Sequence, residues 1–430
     1  MTISITRAIA TSMILVAVSV SVSAADVAAD VAAIATGGAP LGSAHEPRYE
    51  NASLWPADVM KAAYAREQWP KARLLVWAKP GQSARDGTDP KCWLEDGKPA
   101  ARTFDANTDL LLPDADKNYW VAIQGRKYQP APCRHVTIGK GAGLVWQHSA
   151  GGNTWVRKGG SLQYLDSFVG DKHAFCRNDN DKPINLVDHL YVKKAGGASV
   201  EFLGPFSTDD ELSVQSGTMI LGPGSEFAAG DRTTVTIQPE ASLVLLSGSY
   251  FHRRHNCDWG RDVEVTGKLM AGTPQRPLTM DCRIGLSYKS KGVFQGTKRD
   301  ARMPAPDDYG LFIAPSGLLS IHSTDPKTAR LVLNCAEMEH DAAQVRILGE
   351  KTGDGAGLLA KLKGLPHKID AALLGKIEMD GILFDDMRNG GIRLLDPSVR
   401  LQWKNVFYGE RNEGKPDDLC KRFEGNAQSR

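Results

Sequence analysis

The stretch "KIEMDGILFDD", residues 376–386, alternates Ile377 and Met379, runs through Ile382, Leu383 and Phe384, and closes on Asp385 and Asp386. Alone it reads as a strand. Twenty-four residues later, inside "RLQWKNVFYGE" at 400–410, the pattern returns: Leu401 matches Ile377, Trp403 matches Met379, and Val406, Phe407 and Tyr408 match Ile382, Leu383 and Phe384. Two strands of matched pattern at such an interval are the signature of a chain that stacks on itself, each pass burying its apolar side against the next.

Working back from this pair, "RLVLNCAEMEH" at 330–340 extends the register. In that alignment Leu331, Leu333, Ala336 and Met338 fall on the columns of Ile377, Met379, Ile382 and Phe384. Cys335 then lies over Gly381 and Asn405 as a small side chain at a bend. Segment 354–375 is an inserted loop or short helix. Further upstream, a small turn residue followed by a short strand recurs in "GAGLVW" at Gly141, "GGSLQYL" at Gly159, "GASVEFLG" at Gly197, "GTMILGPG" at Gly217, "EASLVLLSG" at Glu240, "TGKLMAGT" at Thr266 and "SGLLSIHS" at Ser316. The pairs Leu144/Leu162, Val200/Met219, Met219/Leu243 and Leu243/Leu269 set the interval. The predicted fold is all-β, a right-handed parallel β-helix with a short N-terminal helical/β cap; a β-sandwich with regular turns is the rival.

The chain has 430 residues, of which 42% are hydrophobic and 24% charged, a composition for a packed core. Its 43 glycines favour turn-rich β architecture. With 52 Lys+Arg against 50 Asp+Glu, no basic face is advertised, and a nucleic-acid partner is not expected. The N-terminus has one cation, Arg7, then an apolar run closing on small residues near Ser23-Ala24-Ala25, the layout of a secretory signal peptide; a membrane anchor is the alternative. The organisation predicted is signal peptide 1–25, flexible leader 26–45, N-terminal cap region 46–110, β-helix 111–410 and polar tail 411–430. The cap should hold a helix over 57–68 and a strand in "ARLLVWAKPGQ" stopped by Pro80-Gly81. The mature protein is expected to be secreted or periplasmic, with no membrane partner after cleavage. Seven cysteines without a CxxC pair argue against structural zinc, and an odd count leaves at least one thiol over.

The segment "GKLMAGTPQRPLTMDCRIGLS", residues 267–287, gives a strand, Gly-Thr-Pro, a Pro-Leu pair and a closing strand. Together with "CWLEDGKPAARTFDANTDLLLPDADKNYWV" at 92–121 it resembles the extracellular domain named for its eight glycines, found in cell-migration-inducing hyaluronidase and fibrocystin. The resemblance spans about residues 92–290. It implies a right-handed parallel β-helix, export, and a link to extracellular polysaccharide. It carries no catalytic residue onto this chain, and the long segment "NDNDKPINLVDH" at 178–189 departs from its compact pattern.

Stacked strands present equivalent residues to one wall, so sites are built from columns. "SYFHRRHNCDWGRD" at 249–262 concentrates groups that bind or protonate an anionic sugar: Tyr250, His252, Arg253, Arg254, His255, Asp258 and Trp259. If the strand from Leu243 continues, Tyr250, His252 and Arg254 share a face. Tyr288, Lys289 and Lys291 follow closely. A uronate polymer needs its carboxylate neutralised, a base for the adjacent proton and an acid for the leaving oxygen. Arg254, His252 or Lys289, and Tyr250 would fill those roles in a polysaccharide lyase working by β-elimination. Asp258, or a column containing Asp385 and Asp386, would instead serve a glycoside hydrolase. In the alignment above, Glu339, Asp385 and Gly409 form one column and His340, Asp386 and Glu410 the next. His255, Trp259, Tyr288, Lys291, Asp385 and Asp386 are candidate substrate-binding residues. A non-catalytic carbohydrate-binding module is the remaining reading, and for each residue an ordinary solvated loop or core role is the bland alternative. No cofactor is required by this chemistry, although crowded carboxylates also suit calcium. Asp179 and Asp181 hint at a calcium loop but lack its turn glycine and distal glutamate. Eight tryptophans, Trp55, Trp69, Trp77, Trp93, Trp120, Trp146, Trp155 and Trp259, precede residue 260 and serve either the core or a glycan-contacting surface.

Overall fold

The computed structural model describes residues 73–124, 133–147, 152–164, 167–171, 173–186, 189–208, 211–229, 235–253, 261–285, 309–313, 317–334, 345–347, 376–385, 392–394, 401–408 and 427–429. The predicted signal peptide, leader and 57–68 helix lie outside them. Within them the chain is all β apart from one 3-10 turn, Pro90–Cys92.

Pairing is overwhelmingly parallel and falls into three ladders. One column of the first runs Leu75, Leu110, Val136, Thr154, Cys176, Phe202, Leu221, Leu245, Ala271 and Ile321, each residue in register with the next. The second carries Ile184, Phe206, Phe227, Phe251, Ile284, Leu333, Phe384 and Tyr408. The third carries Phe168, Val192, Val214, Ile237, Val265, Ile313, Ile347 and Leu394. Strands Tyr119–Gln124, Ala142–Gln147 and Ser161–Tyr164 form a separate three-stranded parallel sheet. Parallel strands bury one apolar side chain over another, which is why β-branched and aromatic residues repeat along each column. Phe202 is the hub: Phe168, Phe206 and Phe227 stand 5.2–5.3 Å from it, edge to face. That geometry matches ring edge to ring face electrostatically.

Long strands turn corners at glycine. Strand Glu211–Leu221 pairs in the third ladder up to Ser216 and in the first from Gly217, whose φ is +71°. Strand Lys376–Asp385 passes from the first ladder to the second at Gly381, φ +94°, a conformation that an L side chain resists.

The founding register holds residue for residue: Ile377 pairs with Leu401, Met379 with Trp403 and Phe384 with Tyr408. The four upstream intervals hold as well. The alignment of 330–340 does not. Leu331 pairs with Ile382, and Asn334 with Asp385, while Leu319 is the partner of Ile377. The reason is that the bend at Gly381 corresponds one pass earlier to the whole turn 322–330. Alternation looks the same in both halves of a bent strand, so the later half was read as the earlier. Gly381 therefore packs against Pro326, with Cys335 outside the described residues.

Residues 178–186 form a built corner. Asn178 Nδ2 donates to the Lys182 and Pro205 carbonyls, its Oδ1 accepts from Asn180, and Ile184–Leu186 then joins the second ladder. Parallel pairing also begins at Arg73 and reaches Ala427–Ser429, so it enters both the predicted cap region and the predicted tail. The strand Arg73–Trp77 ends just before Pro80-Gly81, as read.

Candidate functional site

The strand from Leu243 stops at Leu245. A turn through Gly248, φ +72°, intervenes, and Tyr250–Arg253 is a new strand of the second ladder. Within it alternation still sets the faces. Phe251 is fully buried in the phenylalanine column, so Tyr250 and His252 flank it on the opposite face.

On that face four residues converge. Glu226, Tyr250 and Arg283 occupy one column of three adjacent strands. His252 Nε2 lies 3.0 Å from Glu226 Oε1. A carboxylate only accepts, so the Nε2 proton is donated to Glu226, and the basic nitrogen of the neutral ring is Nδ1, which is buried. The Tyr250 ring stacks on the imidazole, with centroids 4.5 Å apart and planes at 15°. The next strand offers Gly285 beneath them: an added Cβ there would lie 2.7 Å from Tyr250 Oη and 3.0 Å from His252 Cβ. The glycine lets the phenol lie across the ladder. The His252 side chain is only 13% exposed, whereas Glu226 is 45% exposed and Arg283 is exposed. The site thus combines an oriented imidazole, a phenol and a guanidinium at the edge of solvent, a set able to move a proton and neutralise an anion.

Of the residues singled out in the sequence, the structure brings Tyr250 and His252 together. Arg254, His255, Asp258, Trp259, Tyr288, Lys289, Lys291 and Asp386 lie outside the described residues. Asp385 ends its strand beside Asn334, not in the column with Glu339 that the mistaken alignment gave it. Glu226 and Arg283 were missed. Glu226 stands twenty-four residues before Tyr250, the interval that founded the fold, so applying the repeat to the site itself would have found it.

The carboxylates at 179–181 are engaged with neighbours. Asp179 accepts from Arg177 Nε at 2.8 Å and Trp155 Nε1 at 2.6 Å, and Asp181 pairs with Lys158 at 3.2 Å. No group of three or more His, Cys, Asp or Glu side chains is placed to hold a metal among the described residues. Of the tryptophans described, Trp77, Trp93, Trp146 and Trp155 are buried and Trp120 is exposed.

Farther along the wall, an open groove of about 760 Å³ is lined by Trp120, Ser161, Gln163, Asn180, Asn185 and neighbours. Asn185 begins the column that continues through Ser207 and Ala228 to His252. Ser207 and Ala228 are buried, so the groove and the His252 cluster are separate openings on one ladder. No protein-family model, curated protein or solved structure matches this chain.

Proposed function

We propose that the three ladders are the walls of a right-handed parallel β-helix, and that the protein is an exported enzyme that cleaves an acidic polysaccharide by β-elimination. The observation that carries the reaction is the His252–Glu226 hydrogen bond with Tyr250 stacked upon the imidazole and Arg283 in register beside it. Export is supported by the N-terminal leader pattern, and the extracellular-glycan setting by the resemblance of residues 267–287 to the eight-glycine domain.

In this mechanism Arg283 neutralises the uronate carboxylate, which acidifies the C–H beside it. His252, held by Glu226, takes that proton on Nδ1, which is buried and must be uncovered as the substrate seats beside the stacked Tyr250 ring. The electron pair forms the C4=C5 double bond as the C4–O bond breaks, and Tyr250 gives its proton to the departing glycosidic oxygen. The products are a new non-reducing end carrying the double bond and a free hydroxyl on the leaving chain. Positioned acid–base groups are worth about 10² to 10⁴ in rate. Arg283 takes the role that the sequence reading gave to Arg254.

The test is incubation of the full chain with polygalacturonate, alginate and hyaluronan, following near-ultraviolet absorbance of the unsaturated product. Appearance of the chromophore, its loss in His252→Ala, and a fall in Glu226→Gln with native circular dichroism support the reading. New reducing ends without the chromophore would replace elimination by hydrolysis. No cleavage of any polymer overturns the enzyme.

A further inference from the structure

The open groove at Trp120 is not used by the chemistry above. Strand Tyr119–Gln124 alternates strictly: Tyr119, Val121 and Ile123 are fully buried, while Trp120 points outward and is 40% exposed. Exposing an indole to water is costly for so large an apolar surface. Its neighbour in the ladder explains how it is held. Trp120 is in register with Gly143, and Gly143 with Ser161. An added Cβ at Gly143 would overlap the indole carbons Cδ2, Cε3 and Cε2. Contact with both ring-fusion carbons and the adjacent Cε3 means that one face of the indole lies over the glycine. Trp120, 40% exposed, also lines the groove.

Around this plate the lining is rich in groups that both donate and accept. Ser161 and Gln163 follow on the third strand of the sheet. Asn180 is fixed by the Gly159 amide, which donates to its Oδ1, and by its own Nδ2, which donates to the Gly160 carbonyl and to Asn178 Oδ1. Asn185 Oδ1 accepts from Ser207 at 3.4 Å. The Lys158–Asp181 pair closes one side with opposite charges. The volume, about 760 Å³, is within the range of roughly 300–1,000 Å³ typical of small-ligand sites. From Trp120 to Ser161 is two strand steps, about 10 Å.

A flat apolar plate beside amides and a hydroxyl suits a ligand with one C–H face and a rim of hydroxyls. A pyranose ring has that form. We infer that the Trp120 groove is a glycan-binding subsite, distinct from the His252 cluster, which stacks a pyranose ring of an oligosaccharide on the indole and hydrogen-bonds its hydroxyls through Ser161 and Gln163, with the fixed Asn180 and Asn185 shaping the rim. The inference rests on the glycan reading only for its choice of probes, because binding here needs no catalysis.

The experiment is isothermal titration of the full chain carrying His252→Ala, so that turnover is removed, with three hexasaccharides: β-1,4-linked glucose, β-1,4-linked N-acetylglucosamine and α-1,4-linked galacturonate. Binding of at least one is expected. Trp120→Ala should weaken it about tenfold or more, Trp120→Phe should recover most of it, and Gly143→Ala, which keeps the indole but displaces it, should also weaken it. Because Trp120 is exposed, native circular dichroism is expected in both of its variants. Binding that Trp120→Ala and Gly143→Ala leave unchanged, or no binding of any hexasaccharide, overturns the subsite. Binding without cleavage by the parent chain would support the subsite and sink the lyase; cleavage without Trp120-dependent binding would do the reverse.

Discussion

His135 should make the N-terminal part of the ladders acid-labile. It stands between Asp109 and Asn153 in register, buried, with its ring tilted against Phe175 at 5.8 Å. Its Nε2 is buried and makes no hydrogen bond. Burial pushes its pKa down to about 4 against the favourable charge of Asp109, with Arg134 adding to the depression. The folded protein therefore keeps the imidazole neutral, while the unfolded chain takes up a proton below about 6.5. Stability contributed by this difference is fully present above pH 6.5 and is lost as pH falls towards 4. At about 1.4 kcal/mol per pKa unit, the loss is about 3 kcal/mol. Urea unfolding at a series of pH values, read by the fluorescence of the buried Trp77, Trp93, Trp146 and Trp155, reports on this region. A local probe is needed because a chain of this length need not unfold in one step. His135→Phe removes the titration while keeping a ring, so the stability of the variant relative to the parent should rise by about 3 kcal/mol from pH 7 to pH 4. Parallel pH profiles for the two would refute the argument.

Beside His135, Arg134 forms a buried bidentate pair with Asp109, its Nε donating at 2.7 Å. Arg134→Met should cost about 3–5 kcal/mol in the same unfolding assay because it strands a buried carboxylate, and adding Asp109→Leu should recover much of the loss. Phe227 is fully buried between Phe202, at 5.3 Å, and Phe251, at 6.2 Å. Phe227→Ala should cost about 3–5 kcal/mol in a urea titration, more than Leu383→Ala, whose side chain is 7% exposed and belongs to the small cluster with Val332 and Phe407.

What could be read from the sequence follows from which physical signals survive in one dimension. Parallel stacking repeats its apolar residues, so Val200, Met219, Leu243 and Leu269 announced their pairing through interval and residue type alone. Alternation also survived, and it put Tyr250 and His252 on one face even though the strand assumed to carry them was the wrong one. Phase within a pass did not survive. Nothing local tells the half of a strand before a corner from the half after it, and a turn such as 322–330 is replaced in the next pass by the single bend at Gly381. The alignment of 330–340 failed there, and the column built on it, with Asp385 over Glu339, failed with it.

The same physics explains why half of the His252 cluster was invisible. Glu226 and Arg283 are charged residues at the start and middle of short strands. They acquire meaning only when Phe227, Phe251 and Ile284 are stacked, because that core column fixes the neighbouring column to Glu226, Tyr250 and Arg283. A site of this kind is specified by the core behind it. Each outward side chain is held at the ladder spacing of about 4.8 Å by an apolar residue one position away. Gly285 and Gly143 act in the same way from the opposite direction: by carrying no side chain, each leaves the place in which an aromatic ring from the preceding strand lies, Tyr250 at one opening and Trp120 at the other. The chemistry on this wall is therefore written as much in its glycines and phenylalanines as in its titratable residues.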